Sequence, residues 1–327
     1  MRTVRQLVLA LGLLLLAACS ATASQPSADE ASSTSTEWSY TNSYGLTVTL
    51  PEAPKVIVAD AYSAASLWPY GIRPAGVFGH GLEKDAPPGE LGDADVSTMK
   101  IVGTGNELDL EALAALQPDL IVGYGSGDNK GASWTWWDEA VTEKATAIAP
   151  FVGVQFSDQP VVDVIAEYED LAEALGGDLT SEAVDTAKTN FESARENVRT
   201  AMAAKPGLTA IALNGDTSVV YPGGPKLAQV ALLNELGLKT VGPSGEDNAY
   251  WGELSWEEVP DYPADVVLAY TGSTEAFADA PVYAELPAVK AGQVGGFDDK
   301  MPFTYARYAT WLTEVNTVVS SAKVLTG

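Results

Sequence analysis

The chain has 327 residues, 44 acidic against 18 basic side chains, and a formal net charge of −26 at pH 7. So acidic a chain lacks the clustered Lys and Arg that nucleic-acid phosphates require, and its charge serves solubility. With one cysteine (Cys19) and one histidine (His80), it has no thiol pair for an internal disulfide, no His cluster for a bare transition metal and almost no means of His- or Cys-based nucleophilic catalysis.

At the N-terminus, Arg2 and Arg5 precede a 12-residue apolar run at 7–18. That run is shorter than the about 20 residues a membrane span needs. Small residues follow it, which is the pattern of a secretory signal peptide. Ala21-Thr22-Ala23 fits an ordinary signal-peptidase site, whereas Leu16-Ala17-Ala18-Cys19 resembles the bacterial lipobox, in which the cysteine is lipidated and becomes the first mature residue. A lone cysteine inside a leader cannot be core, so residues 1–18 are expected to be a lipoprotein signal peptide and Cys19 the lipidation site. Two or more acyl chains would then hold the protein stably at a membrane face. Loss of Arg2 and Arg5 takes the net charge from −26 to −28. Residues 20–36 hold nine Ser or Thr in 17 positions, a composition that cannot fold and predicts a flexible tether, extended here through residue 42.

Beyond the tether, short apolar runs alternate with helical stretches. Strands are expected at 56–59, 75–78 and 120–122, with helices at 64–70, ended by Gly71, and 110–116, capped by Asp109. This alternation predicts a parallel, doubly wound sheet. The middle of the chain is helical at 161–175 and 181–204, where Val184, Ala187, Phe191, Ala194 and Val198 share one face. The second stretch is long enough, at about 36 Å, to join two lobes. Alternation then resumes with a strand at 210–213, a helix at 227–236, a strand at 266–268 and an amphipathic stretch at 305–323. DLEALAALQPDLIV at 109 and SWEEVPDYPADVVL at 255 align without a gap at an offset of 146, pairing Asp109 with Ser255, Glu111 with Glu257 and Asp119 with Asp265. The reading is α/β: two doubly wound lobes with parallel sheets, at 43–157 and 206–327, joined by a long rigid helix within a helical segment at 158–205.

No G-x-S-x-G elbow, phosphate-binding P-loop or dinucleotide fingerprint is present, and the Asp93–Asp95 region fails the calcium-loop pattern. No catalytic residue and no metal site is expected; a binding protein with its ligand between the lobes is.

Residues 43–79, SYGLTVTLPEAPKVIVADAYSAASLWPYGIRPAGVFG, resemble the opening of the periplasmic-binding-protein family that serves ABC importers of iron-siderophores, cobalamin and haem. Gly45, Thr47, Val48, Leu50 and Pro51 match its hairpin, Pro54-Lys55 its first strand's approach, and Gly71 to Val77 its G-I-x-P-x-G-V motif. DLEALAALQPDLIVG and PVYAELPAVKAGQVGGFD match later signatures, so the resemblance spans 43 to about 323. It implies the class III architecture, a monomer, and surface glutamates Glu111 and Glu257 docking on a permease dimer with its ATPase. The ligand would be a small metal chelate, with no covalent group other than the N-terminal lipid, and the protein would sit at the outer face of the cytoplasmic membrane.

Residues after strands and in aromatic loops are the cleft candidates: Tyr62, His80, Tyr124, Ser126, Asn214, Tyr221, Tyr250, Trp251, Tyr270, Tyr305 and Arg307. SWTWWDEA adds Trp134, Trp136 and Trp137; Trp134 and Trp137 are candidates that fall on one face if the segment is helical, and one of the three is expected in the cleft. With so few arginines, a cleft holding at most Arg307 suits a neutral or cationic chelate better than a polyanionic catecholate. An iron(III)-siderophore of the hydroxamate type is therefore the expected ligand. Cobalamin or haem is the alternative within the family, and a lipid-anchored enzyme or sensor the alternative outside it.

Overall fold

The computed structural model describes residues 37–84 and 91–325. The expected signal peptide, Cys19 and the tether up to residue 36 lie outside the described residues. By Trp38 the chain is already strand: β1 (Trp38–Thr41) and β2 (Thr47–Leu50) form an antiparallel hairpin. Alternation explains why the expected tether ends early, since Trp38 and Tyr40 point inward and are buried while Ser39 and Thr41 are exposed.

The N-terminal lobe runs β3 (Ile57–Asp60), α1 (Ala61–Leu67), β4 (Gly76–Phe78), β5 (Lys100–Ile101), α2 (Leu110–Leu116), β6 (Leu120–Tyr124), α3 (Glu139–Ile148) and β7 (Phe151–Val154). Its sheet is wholly parallel, in the order β5-β4-β3-β6-β7. β3, β4, β6 and β7 are buried along their whole length, as continuous apolar runs covered on both faces should be. Gly71 takes φ +84 and stops the turn that extends α1.

Helices α4 (Val161–Ala174) and α5 (Glu182–Ala203) lead to the second lobe. That lobe contains β8 (Thr209–Gly215), β9 (Val220–Pro222), α6 (Ala228–Glu235), β10 (Lys239–Thr240), β11 (Val266–Tyr270), the short helices α7 (Thr274–Ala278), α8 (Pro281–Glu285) and α9 (Pro287–Lys290), β12 (Val294–Phe297) and α10 (Tyr305–Ser321). Its parallel sheet has the order β10-β8-β11-β12, with β9 antiparallel on β8. The architecture is therefore α/β, with one parallel sheet in each lobe, as expected.

The internal repeat is structural. The Asp119 carboxylate accepts from the Lys55 and Val56 amides (2.8 Å each) at the entrance to β3, and the Asp265 carboxylate accepts from the Thr209 amide (2.8 Å) at the entrance to β8. β6 pairs with β3 as β11 pairs with β8, so both aspartates tie down the start of the neighbouring central strand.

α5 lies along α10, burying Val184, Phe191, Ala194, Val198 and Met202. Before it, the Asp178 amide donates to the Tyr70 carbonyl (2.9 Å). After it, Lys205 Nζ donates to the Val319 and Ala322 carbonyls (2.7 Å each), which would otherwise end α10 unpaired. One helix is thus anchored to both lobes.

In SWTWWDEA the tryptophans are not helical; only its last two residues, Glu139 and Ala140, belong to α3. Trp134 forms a bridge with Gly125, the Thr135 amide donates to the Tyr124 carbonyl (2.9 Å), and α3 begins only after Asp138, whose carboxylate accepts from the Val141 amide (2.8 Å). The aspartate is a cap, so the tryptophans before it lie on an extended turn against β6.

Candidate ligand-binding cleft

A cavity of about 640 Å³ opens between the lobes. It lies beyond the C-terminal ends of β6, β7, β8 and β12, where open α/β sheets bind ligands. The N-terminal lobe contributes Tyr44, residues 125–128, Trp136 and residues 155–158, and the C-terminal lobe Asn214, Leu227, Tyr250, Trp251, Asp299 and Lys300.

Of the residues expected from sequence, Ser126, Asn214, Tyr250 and Trp251 line this cavity. Asn214 is held by Ser273, whose hydroxyl donates to Asn214 Oδ1 (2.7 Å). Trp251 donates its indole N–H to Asp299 Oδ2 (3.1 Å). Tyr124 lies beneath the lining, fully buried, stacked on Phe156 (4.5 Å between centroids) and donating its hydroxyl across the lobes to the Lys300 carbonyl (3.3 Å). Half-buried Tyr270 meets Trp251 edge-on, and half-buried His80 meets Trp136 edge-on (5.3 Å).

The remaining candidates sit elsewhere. Tyr62 is buried, stacked on Tyr124. Trp134 and Trp137 are buried around Phe78; Trp136 is the indole that reaches the cavity. Tyr221 lies on β9 opposite Asn214 in register but not in the lining. Tyr305 donates to Glu169 Oε2 (3.1 Å), with Lys188 over its ring, where α4, α5 and α10 meet. Arg307 lines a separate cavity of about 340 Å³ with Trp68, Pro302 and Thr304, so the cation of the cleft is Lys300 and not an arginine.

Tyr44, Asp128, Phe156, Asp158, Asp299 and Lys300 escaped the sequence reading. Phe156 and Asp158 follow β7 just as Ser126 follows β6, and recognising 151–154 as a strand would have exposed them. Tyr44 comes from the β1–β2 turn, held by its hydroxyl bond to the Gly125 carbonyl (3.0 Å). Its phenol is pushed up to about 12 by burial and the nearby Glu167 carboxylate. Burial likewise raises Asp299, a shift that Lys300 and the Trp251 hydrogen bond oppose.

At the cavity mouth the lobes touch. The Asp158 amide donates to the Lys226 carbonyl (2.9 Å), Asp158 Oδ2 lies 3.5 Å from Lys226 Nζ, and Glu246 lies 3.8 Å from the same ammonium. Asp158 adopts φ +60, a left-handed conformation uncommon outside glycine. No group of His, Cys, Asp or Glu among the described residues could hold a metal ion, and no described helix is long and apolar enough to cross a membrane.

Two parallel-sheet lobes, a helix anchored to both and an aromatic cleft at the strand ends define a solute-binding protein. A profile described as periplasmic binding protein matches residues 82–301. DesE, a ferric-siderophore receptor protein from Streptomyces coelicolor, has a solved structure similar at TM-score 0.81 and 30% identity, over 88% of this chain and 99% of that one. The siderophore periplasmic binding protein from the fuscachelin gene cluster of Thermobifida fusca is similar at TM-score 0.59 and 26% identity, over 81% and 96% of the two chains. The iron(3+)-hydroxamate-binding protein YxeB of Bacillus subtilis is 26% identical over 311 residues, 90% of this chain and 89% of that protein. The chain belongs to the periplasmic binding protein family; it is a substrate-binding protein and not an enzyme.

Proposed function

We propose that this protein captures an iron(III)-siderophore outside the cytoplasm and delivers it to an ABC importer, that the siderophore is of the hydroxamate type, and that Cys19 anchors the protein through lipid. The observation that carries the ligand reading is the make-up of the cleft: Trp136, Phe156, Tyr250 and Trp251 with three carboxylates, Asp128, Asp158 and Asp299, against one ammonium, Lys300. Aromatic area suits a bulky chelate. A lining richer in acids than bases suits a neutral or cationic complex, and ferric hydroxamates of the ferrioxamine or ferrichrome type are of that kind. Similarity to DesE, a ferric-siderophore receptor protein, supports a ferric siderophore, and similarity to YxeB, an iron(3+)-hydroxamate-binding protein, supports the hydroxamate class. Lobe boundaries at 43–157 and 206–327, with the helical segment 158–205 between them, complete the reading; Glu111 and Glu257 are its docking residues.

Tryptophan fluorescence titration with ferric hydroxamates, ferric catecholates, cobalamin and haem tests the ligand class. Tight quenching by ferric hydroxamates is expected. Quenching by a catecholate, cobalamin or haem alone would overturn the hydroxamate assignment. Mass spectrometry of the mature N-terminus tests the anchor: a diacylglyceryl-modified Cys19 is expected, and an unmodified chain beginning at Ser24 would refute it.

A further inference from the structure

Among the described residues, Lys300 is the one basic residue in the lining of the cavity. Its backbone is fixed at two points, its amide donating to Asp298 Oδ1 (2.8 Å) and its carbonyl accepting from the Tyr124 hydroxyl of the other lobe (3.3 Å). The side chain is half-buried in the cleft lining, with its ammonium 5.8 Å from the ring centre of Trp136 in one lobe and 5.8 Å from that of Tyr270 in the other. No carboxylate among the described residues lies within ion-pair distance of it. The neighbouring Asp299 carboxylate is instead bonded to the Trp251 indole (3.1 Å), and Lys226, the cation at the mouth, is paired with Asp158 and Glu246. The Lys300 ammonium, with three N–H donors, thus lies in the cleft lining beside two aromatic faces and feels the charge of Asp299 without forming an ion pair with it.

We propose that Lys300 reads the oxygen atoms of the bound chelate and limits how much anionic charge the cleft accepts. This rests on the cleft being a ferric-chelate site. At this distance an aromatic face holds an ammonium weakly, whereas a charge-assisted hydrogen bond to a metal-bound oxygen is stronger. A ligand that presents such oxygens therefore draws the ammonium off Trp136 and Tyr270. Because those rings belong to different lobes, the same lysine meets the chelate where the lobes converge. With Asp158 paired to Lys226, one ammonium stands among Asp128 and Asp299 and the lining stays acidic, so a trianionic complex gains one contact and faces two carboxylates, while a neutral one keeps the contact.

The test compares wild type with Lys300→Gln and Lys300→Arg. Affinities for ferrioxamine B, ferrichrome and a ferric tris-catecholate are measured at 50 and 500 mM salt, by tryptophan quenching and by co-elution of the ferric absorbance in gel filtration. Lys300→Gln is expected to weaken the chelate that wild type binds by about 10- to 100-fold, the loss of one hydrogen bond to a charged donor, with unchanged thermal unfolding and a smaller response to salt. Lys300→Arg is expected to restore most of the affinity. A change under tenfold in Lys300→Gln, or a loss of affinity with no change in salt response, overturns the inference while leaving the ferric-chelate reading intact. Failure of wild type to bind any of the chelates overturns both.

Discussion

Asp60 is a fully buried carboxylate at the end of β3 whose oxygens accept four hydrogen bonds: from the Tyr62 and Ser63 amides (3.0 and 3.1 Å), the Ser63 hydroxyl (2.6 Å) and the Tyr124 amide (2.9 Å). It caps α1 and holds the strand that leads to the cleft. Burial outweighs those bonds and raises its pKa from 3.8 to about 6. Because the folded pKa is raised, the neutral form is the one folding favours. The associated stability is complete below the unfolded value near 4 and is lost as pH rises through 6, a change on the order of 3 kcal/mol. Asp60→Asn cannot ionise, so the unfolding free energy of wild type minus that of the variant should decrease from pH 4 to pH 7 in urea titrations; a constant difference would contradict this. Trp134 and Trp136 make a second comparison. Trp134→Ala empties a packed site and should cost about 3–5 kcal/mol. Trp136→Ala should cost much less stability but weaken chelate binding roughly tenfold through lost ring contact. Denaturation and quenching titrations on the two variants separate these outcomes.

Elements show what was readable. Strand positions 56–59, 75–78 and 120–122 and the helices at 110–116 and 181–204 follow from apolar periodicity and caps, which act within a few residues, and they agree with the structure to within two residues at most ends. The aromatic run around Trp134 stays open in the sequence because three tryptophans in four residues satisfy a helical spacing as well as a turn; only the bridge to Gly125, a contact made by folding, decides. The repeat likewise hid a difference. Ser255 forms a capping box with Glu258 as a helix start should, but Pro260 lacks an N–H, and Trp256–Asp261 winds as a 3-10 helix where its counterpart α2 is α-helical. Cleft residues were legible where they follow an obvious strand, and illegible where a neighbouring element supplies them, as the hairpin does with Tyr44. That hairpin is pinned by Asn42, which donates to the Lys130 and Gly153 carbonyls (3.1 and 3.0 Å) and accepts from the Leu46 amide (2.9 Å). Asn42→Ala leaves those groups without partners and should lower stability by about 2 kcal/mol, a Tm fall of about 3–5 °C. Differential scanning calorimetry reads it, and an unchanged Tm would show that the hairpin docks without Asn42.

On the scale of the whole molecule, pseudo-symmetry places Glu111 and Glu257 comparably. Each follows its helix cap by two residues, Asp109 and Ser255, and each is exposed. A carboxylate in a first helical turn is favoured by the helix dipole, which is enough to account for one such glutamate. It does not account for a pair, one per lobe, on elements that lead into Asp119 and Asp265, which do the same job for the two sheets. Two glutamates on a body whose lobes are linked by α5 have a spacing that changes little if the lobes close little, so a permease can read them together. Docking therefore predicts more than additive loss: Glu111→Ala and Glu257→Ala should each reduce uptake of the ferric ligand in cells, and the double variant should abolish it. Affinity for the ligand should stay within about twofold throughout, because neither residue lines the cleft. Radiolabelled iron uptake beside quenching titrations of the same variants measures both quantities. Normal uptake in the double variant would remove these glutamates from the transport step and leave the dipole as their whole explanation.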